Sequence, residues 1–151
     1  MIIMQRRDFT ISALIAGLLP RFAVAAELPW QKFVIPAGKT ATVTATRMLD
    51  QVSSLAFSYE DSASAGHWET IGNLVLSAEH QETKADFPAF AAPHGPRTIQ
   101  IIGSFQAKGE QHPARRSTID YTKENKVLTI NFWGEDEVDT PNTIVHVTIS
   151  G

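Results

Sequence analysis

Five histidines, thirteen lysines and arginines, sixteen carboxylates and no cysteine make up the reactive inventory of this chain. The lack of cysteine removes disulfides, thiolate metal sites and cysteine nucleophiles together, so any metal or acid–base chemistry falls to imidazole and carboxylate. His67, His80, His94 and His112 stand in stretches that read as loops, and His146 stands inside an alternating run. The acidic stretch Gly134-Glu-Asp-Glu-Val-Asp139 and the pair Arg115-Arg116 complete the charged set. Two imidazoles with carboxylates are competent ligands for zinc, copper or non-haem iron. The candidate set for a divalent metal is His67, His112, Asp136 and Glu137. Its spacing matches no metal motif, and a solvated rim whose arginines balance its acids is the plainer alternative. Oxygen ligands over Glu135–Asn142 suggest calcium, without the regular spacing of known calcium loops. His80 and His94 have Glu79, Glu82 and Asp86 as sequence neighbours. Nucleophilic catalysis has little support: Gly-x-Ser-x-Gly, Ser-x-x-Lys and His-Glu-x-x-His are all missing, as are glycine-rich phosphate loops. Trp30, Trp68 and Trp133 are either a platform for a ligand or part of the core and sheet edges.

The elements that must position these residues are strands. Ser117–Thr122, Lys126–Trp133 and Asn142–Ile149 each alternate, with Ile119 and Tyr121, then Leu128, Ile130 and Phe132, then Val145, Val147 and Ile149 on one face. Period two is the mark of a half-buried strand. It puts His146 on the face opposite Val145 and Val147. Asn125 is the expected left-handed residue of the first turn in this meander. Earlier runs repeat the pattern over Gln31–Ile35, Ala41–Arg47, Val52–Tyr59, Trp68–Ala78 and Arg97–Ala107. Gly72-Asn73 predicts a bulge or a break, and Gly103 falls on an inward face where it relieves crowding. Glu79–Pro96 reads as an irregular, proline-broken loop whose Phe87 and Phe90 cover one end of the core. Lys108–Ala114 reads as a polar loop. About eight strands and no evident helix predict an all-β fold, an antiparallel β-sandwich.

Consecutive antiparallel strands reverse direction, which sorts the loops by end. With Trp68–Ala78 followed directly by Arg97–Ala107, His80 and His94 lie at one end. His67, His112, the acidic stretch, Arg115 and Arg116 lie at the other.

The first 25 residues are a separate segment. Gln5-Arg-Arg-Asp-Phe-Thr-Ile11 precedes an apolar run to Leu19, then Pro20-Arg21 and Ala23-Val-Ala25. On Arg6, Arg7 and Phe9 this resembles a twin-arginine signal peptide, while Gln5, Thr10 and Ile11 depart from the usual pattern. The run is shorter than the roughly 20 apolar residues of a membrane span. The resemblance implies export to the periplasm and cleavage after Ala25, leaving 26–151 as a single domain with no membrane span. Without Arg6, Arg7, Arg21 and Asp8, ten basic and fifteen acidic residues remain, a formal charge of −5. Such a surface has no electrostatic footprint for nucleic acid.

The first functional reading is an exported periplasmic module that binds a partner protein or a small ligand without catalysis. A contiguous exposed apolar patch or a sheet-enclosed cavity would mark it. The second is a metal-binding protein or small metalloenzyme using loop histidines and carboxylates. The third is a hydrolase with a loop-borne His–acid pair. Intact mass spectrometry of the protein recovered from the periplasm tests the export reading: the expected chain starts at Ala26, and a mass retaining Met1 would overturn it.

Overall fold

The computed structural model describes residues 28–124, 126–134 and 139–150. Among them are ten strands: β1 (Trp30–Ile35), β2 (Thr40–Arg47), β3 (Ser53–Asp61), β4 (Glu69–Leu76), β5 (Glu82–Ala85), β6 (Arg97–Ala107), β7 (Glu110–Pro113), β8 (Arg116–Thr122), β9 (Val127–Trp133) and β10 (Thr143–Ser150). Sheet I has the order β5-β2-β10-β9-β8, and sheet II the order β1-β6-β3-β4. β7 pairs with the end of β6 beyond β1. Every pairing is antiparallel, so the fold is an all-β antiparallel sandwich. Among the described residues no helix is long and apolar enough to cross a membrane.

Register follows from the alternation. Ile119, Ile130, Val145 and Ala45 form one row across sheet I, and Leu128, Val147, Val43 and Ala85 form the next. In sheet II, Phe33, Ile99 and Tyr59 form a row, and Phe57 pairs with Ile101. These rows face each other, and most of their members are buried. β-branched residues suit this surface because their stiff side chains stand off the pleat.

Gly103 is the point of closest approach. A Cβ there would lie 2.4 Å from Cδ1 of Phe132 on the opposing sheet. The ring occupies the volume a side chain would take, as the inward position of Gly103 leads one to expect. Gly72 does not break β4. Phe57 pairs with Gly72 and Ser58 with Thr70, which leaves Ile71 as the extra residue of a bulge. Asn125 is outside the described residues; among those described, Lys126 takes a left-handed backbone at that turn, with φ of 54°.

The segment expected to be an irregular loop, Glu79–Pro96, contains β5 and a 3₁₀ turn at Pro88–Phe90. β5 is only four residues long and exposes Glu82 and Lys84, so its alternation is too brief to stand out from a proline-rich background. The expected role of the two phenylalanines holds. Phe57, Phe87 and Phe90 cluster with centroids 5.5–5.8 Å apart in tilted and edge-on arrangements, and Phe90 is buried. Likewise Lys108–Ala114 contains β7, a wholly exposed edge strand.

The extra strand corrects the sorting of loop ends. β4 and β6 both flank β3 antiparallel to it, so they run in the same direction. The chain turns at Ser77–His80, crosses back along β5, and re-enters at Arg97. His67 and His94 therefore lie at the rim where Asp61 meets Arg97, and His80 and His112 lie at the rim that holds Asn142.

Gly103→Ala should destabilise the fold by about 1–3 kcal/mol through overpacking against Phe132. Urea unfolding would show it as a lower midpoint with an unchanged slope. An unshifted midpoint would mean that the sheets part without cost.

Candidate functional site: two outer faces and two rims

β1 directs Trp30, Lys32 and Val34 outward, since Phe33 and Ile35 point into the core. Cross-strand pairing sets Trp30 beside Ile102, and Ile102 beside Ala56, along one row of sheet II. On the outer strands Val34 and Val75 are 54% and 52% exposed, and Ile102 between them is 38% exposed. Trp68, from the segment before β4, reaches the same face. The Lys32 ammonium lies 5.1 Å from the Trp30 ring centroid and 5.0 Å from that of Trp68. Both distances are within cation–π range, so the lysine holds two half-buried indoles on one side of the sandwich. Polar residues fill many of the other outward positions: Ser54, Ser58 and Glu60 on β3, and Thr98, Gln100 and Ser104 on β6.

The Arg97 rim is a connected set of polar side chains. Nε and Nη2 of Arg97 donate to the two Asp61 oxygens at 2.6 and 3.2 Å, a two-point ion pair. Nη1 donates to the Ala89 carbonyl at 3.1 Å, which fastens the turn carrying Phe90. The guanidinium lies 4.4 Å from the Tyr59 ring centroid. Tyr59 donates to Glu69 at 3.2 Å, and Nε2 of His67 stands 3.7 Å from the other Glu69 oxygen. The hydrogen bond from Arg97 holds the Asp61 carboxyl below its ordinary pKa, against the opposing effect of burial. Burial and then Glu69 raise the Tyr59 hydroxyl above its ordinary value.

The Asn142 rim is built differently. Oδ1 of Asn142 accepts from the Gly134 backbone at 2.6 Å, and its Nδ2 donates to Gln51. Nε1 of Trp133 donates to the Asp139 carbonyl at 3.1 Å, and the Arg116 guanidinium lies 4.0 Å from the Trp133 ring centroid. The buried Trp133 thus ties the end of β9 to Asp139. His112 lies against Phe105 with centroids 5.7 Å apart.

These positions separate the metal candidates. His67 is at the Arg97 rim and His112 at the Asn142 rim. Arg97 and Phe105, their neighbours on β6, are roughly 26 Å apart at about 3.3 Å per residue. Asp136 and Glu137 lie outside the described residues, as does most of the acidic stretch. Among the described residues no group of three or more histidines and carboxylates is placed to hold a metal ion. His94 is near Asp61, and His80 is at the opposite rim, so that pair is separated too. His146 faces outward from β10, as alternation predicts. Sequence reasoning passed over Lys32, although Trp30 and Lys32 share parity in β1. It also passed over Tyr59, Asp61 and Arg97, whose association depends on the pairing of β3 with β6.

No protein-family model matches the chain, and no curated protein matches it. Among solved structures, it is similar to the C-terminal domain of BC2L-C lectin from Burkholderia cenocepacia. The TM-score is 0.42 at 14% identity, over 82% of this chain and 95% of that one. A likeness at that level carries no argument about ligand or role.

The Asp61–Arg97 pair gives a pH signature. A carboxyl with a depressed folded pKa contributes stability that is complete above the unfolded value of about 3.9 and is lost as pH falls through the folded value. Urea midpoints measured on acidification should therefore fall less steeply below about pH 4 in Asp61→Asn than in the wild type. Identical acid limbs would show that the pair makes no contribution to acid unfolding.

Proposed function

We propose that this chain is a periplasmic, non-enzymatic module that binds a partner protein through the outer face of sheet II. The observation that carries the reading is the pair of indoles, Trp30 and Trp68, gathered by Lys32 beside Ile102, with Val34 and Val75 exposed elsewhere on the same face. An antiparallel sheet that faces water ordinarily alternates polar residues outward. Sheet I follows that rule with threonines, Asn131 and His146, apart from Val127 and Ile144. Sheet II follows it on β3 and β6 with Ser54, Ser58, Thr98, Gln100 and Ser104 but turns out Trp30, Val34, Ile102 and Val75 as well. Exposed apolar patches rimmed by polar residues are a mark of interaction surfaces, and tryptophans are enriched among the residues that dominate binding energy. The face offers area without enclosure, which suits a protein surface better than a small ligand.

Lys32 sets the partner's chemistry. Its charge stands between two indoles, with Gln100 as its cross-strand neighbour, on a chain that is acidic overall. A carboxylate opposite Lys32 would complete the ion pair as water leaves, and an apolar surface would cover the indoles. An Asp or Glu within an apolar patch is therefore the expected counterpart. Arg6, Arg7 and Phe9 support export by the twin-arginine route, and on that reading the encounter is periplasmic.

A photo-crosslinking residue placed at Ile102, and separately at Thr42 on the opposite sheet, tests this in periplasmic protein. The expected result is one adduct of defined mass from position 102, none from position 42, and loss of the adduct in Lys32→Glu. Equal crosslinking from both positions, or an adduct indifferent to Lys32→Glu, would refute the reading.

A further inference from the structure

Two adjacent cross-strand rows on the outer face of sheet I are built from short side chains. Thr122, Val127 and Thr148 form one row, and Asp120, Thr129 and His146 form the next. Short side chains at the centre of a sheet leave space above it. Thr122, Val127, Thr129, His146 and Thr148 line an open depression of about 330 Å³. That volume is within the range of roughly 300–1,000 Å³ that accommodates a small organic molecule. Asn131 and Ile144 stand in the following row and bound it on one side.

The hydrogen bonding of this face is uneven. Thr40, Thr46 and Thr118 on this face are engaged, with Ser150, Glu82 and Asn131, while Thr42 and Thr44 on β2 make no side-chain hydrogen bond among the described residues. Around the depression, the side chains of Thr122, Thr129, His146 and Thr148 make no hydrogen bond to protein among the described residues. Three hydroxyls and an imidazole from three strands thus converge with free donors and acceptors, with Asp120 beside Thr129. No lysine or arginine lines the space, so nothing there would select an anion. The threonine methyls and Val127 offer apolar carbon between the polar atoms.

We propose that this depression is a binding site for a neutral saccharide, independent of the protein-binding face on sheet II. A pyranose presents the complementary pattern. Its ring hydroxyls both donate and accept, which suits hydroxyls, an imidazole and a carboxylate. Its C–H faces pack on the methyl groups. The site is shallow and hydrated, so each hydrogen bond to the sugar replaces one to water and contributes only modestly. Dissociation constants in the millimolar range are expected for a single ring.

The test uses ¹⁵N-labelled mature protein titrated with glucose, galactose, mannose and N-acetylglucosamine, followed by amide shifts. The expected result is saturable shifts for at least one sugar, centred on Thr122, Thr129, His146 and Thr148. Thr129→Val keeps the β-branched shape while deleting the hydroxyl, so the strand is retained. It should weaken binding about fivefold, the net worth of one hydrogen bond. Thr40→Val, outside the depression, should leave affinity unchanged. The proposal is overturned if no sugar shifts these amides, if the shifts centre on Trp30 and Trp68, or if Thr129→Val binds like the wild type.

Discussion

Phe132 of sheet I sits where Gly103 of sheet II has no side chain, and this contact sets how closely the two layers approach. Sheets that pack face to face interdigitate their inward side chains, so one deep insertion constrains its neighbours. Slipping either strand by one residue would turn its whole apolar set to the solvent. Gly103 is also a junction in its own sheet. Its N–H bonds to the Pro29 carbonyl and its carbonyl to the Ala114 N–H, at the boundary where β1 gives way to β7 along β6. One residue without a side chain therefore serves both the interior and the edge. The seam between β1 and β8 depends on the same spacing. Ser117, nearly fully buried, donates to the Leu28 carbonyl at 2.7 Å and accepts from Gln31 at 2.9 Å, so polar groups close that edge of the sandwich.

With the interior committed to packing, the chemistry falls to the surfaces. The rims spend their polar groups on structure. Arg97 satisfies its guanidinium on Asp61 and the Ala89 carbonyl, and Asn142 ties Gly134 to Gln51. Such groups are oriented by partners they already have, which leaves little capacity for a ligand. The two outer faces keep theirs. Sheet II turns out two indoles about one lysine and a few aliphatic side chains among serines and threonines, while sheet I turns out mainly hydroxyls. These compositions offer different things to a partner: on sheet II apolar area whose burial would release water, on sheet I hydroxyls that would exchange hydrogen bonds with water.

The distribution of histidines shows how one short element redirects a reading. β5 has four residues, yet it reverses the chain between β4 and β6 and sends His67 to the opposite end from His112. A parity rule applied to strand order counts reversals, so a single uncounted strand inverts every later assignment. β7 did less harm, because it returns the chain along β6 at the same rim.

The sequence by itself determined the layers. Alternation in β1–β4, β6 and β8–β10 identifies the inward residues, because period two is a property of the backbone that any half-buried strand must respect. It also determined that Gly103 lies inward, that Phe87 and Phe90 close the core, and that His146 faces out. The tertiary structure alone decided which strands are neighbours, and with that which side chains meet. Lys32 between Trp30 and Trp68 joins residues from opposite edges of sheet II, Asp61 and Arg97 meet through the β3–β6 register, and the depression beside His146 needs β8, β9 and β10 together. Such encounters rest on long-range pairing, whose partners are chosen by the packing of the whole chain and leave no periodic trace in any one segment.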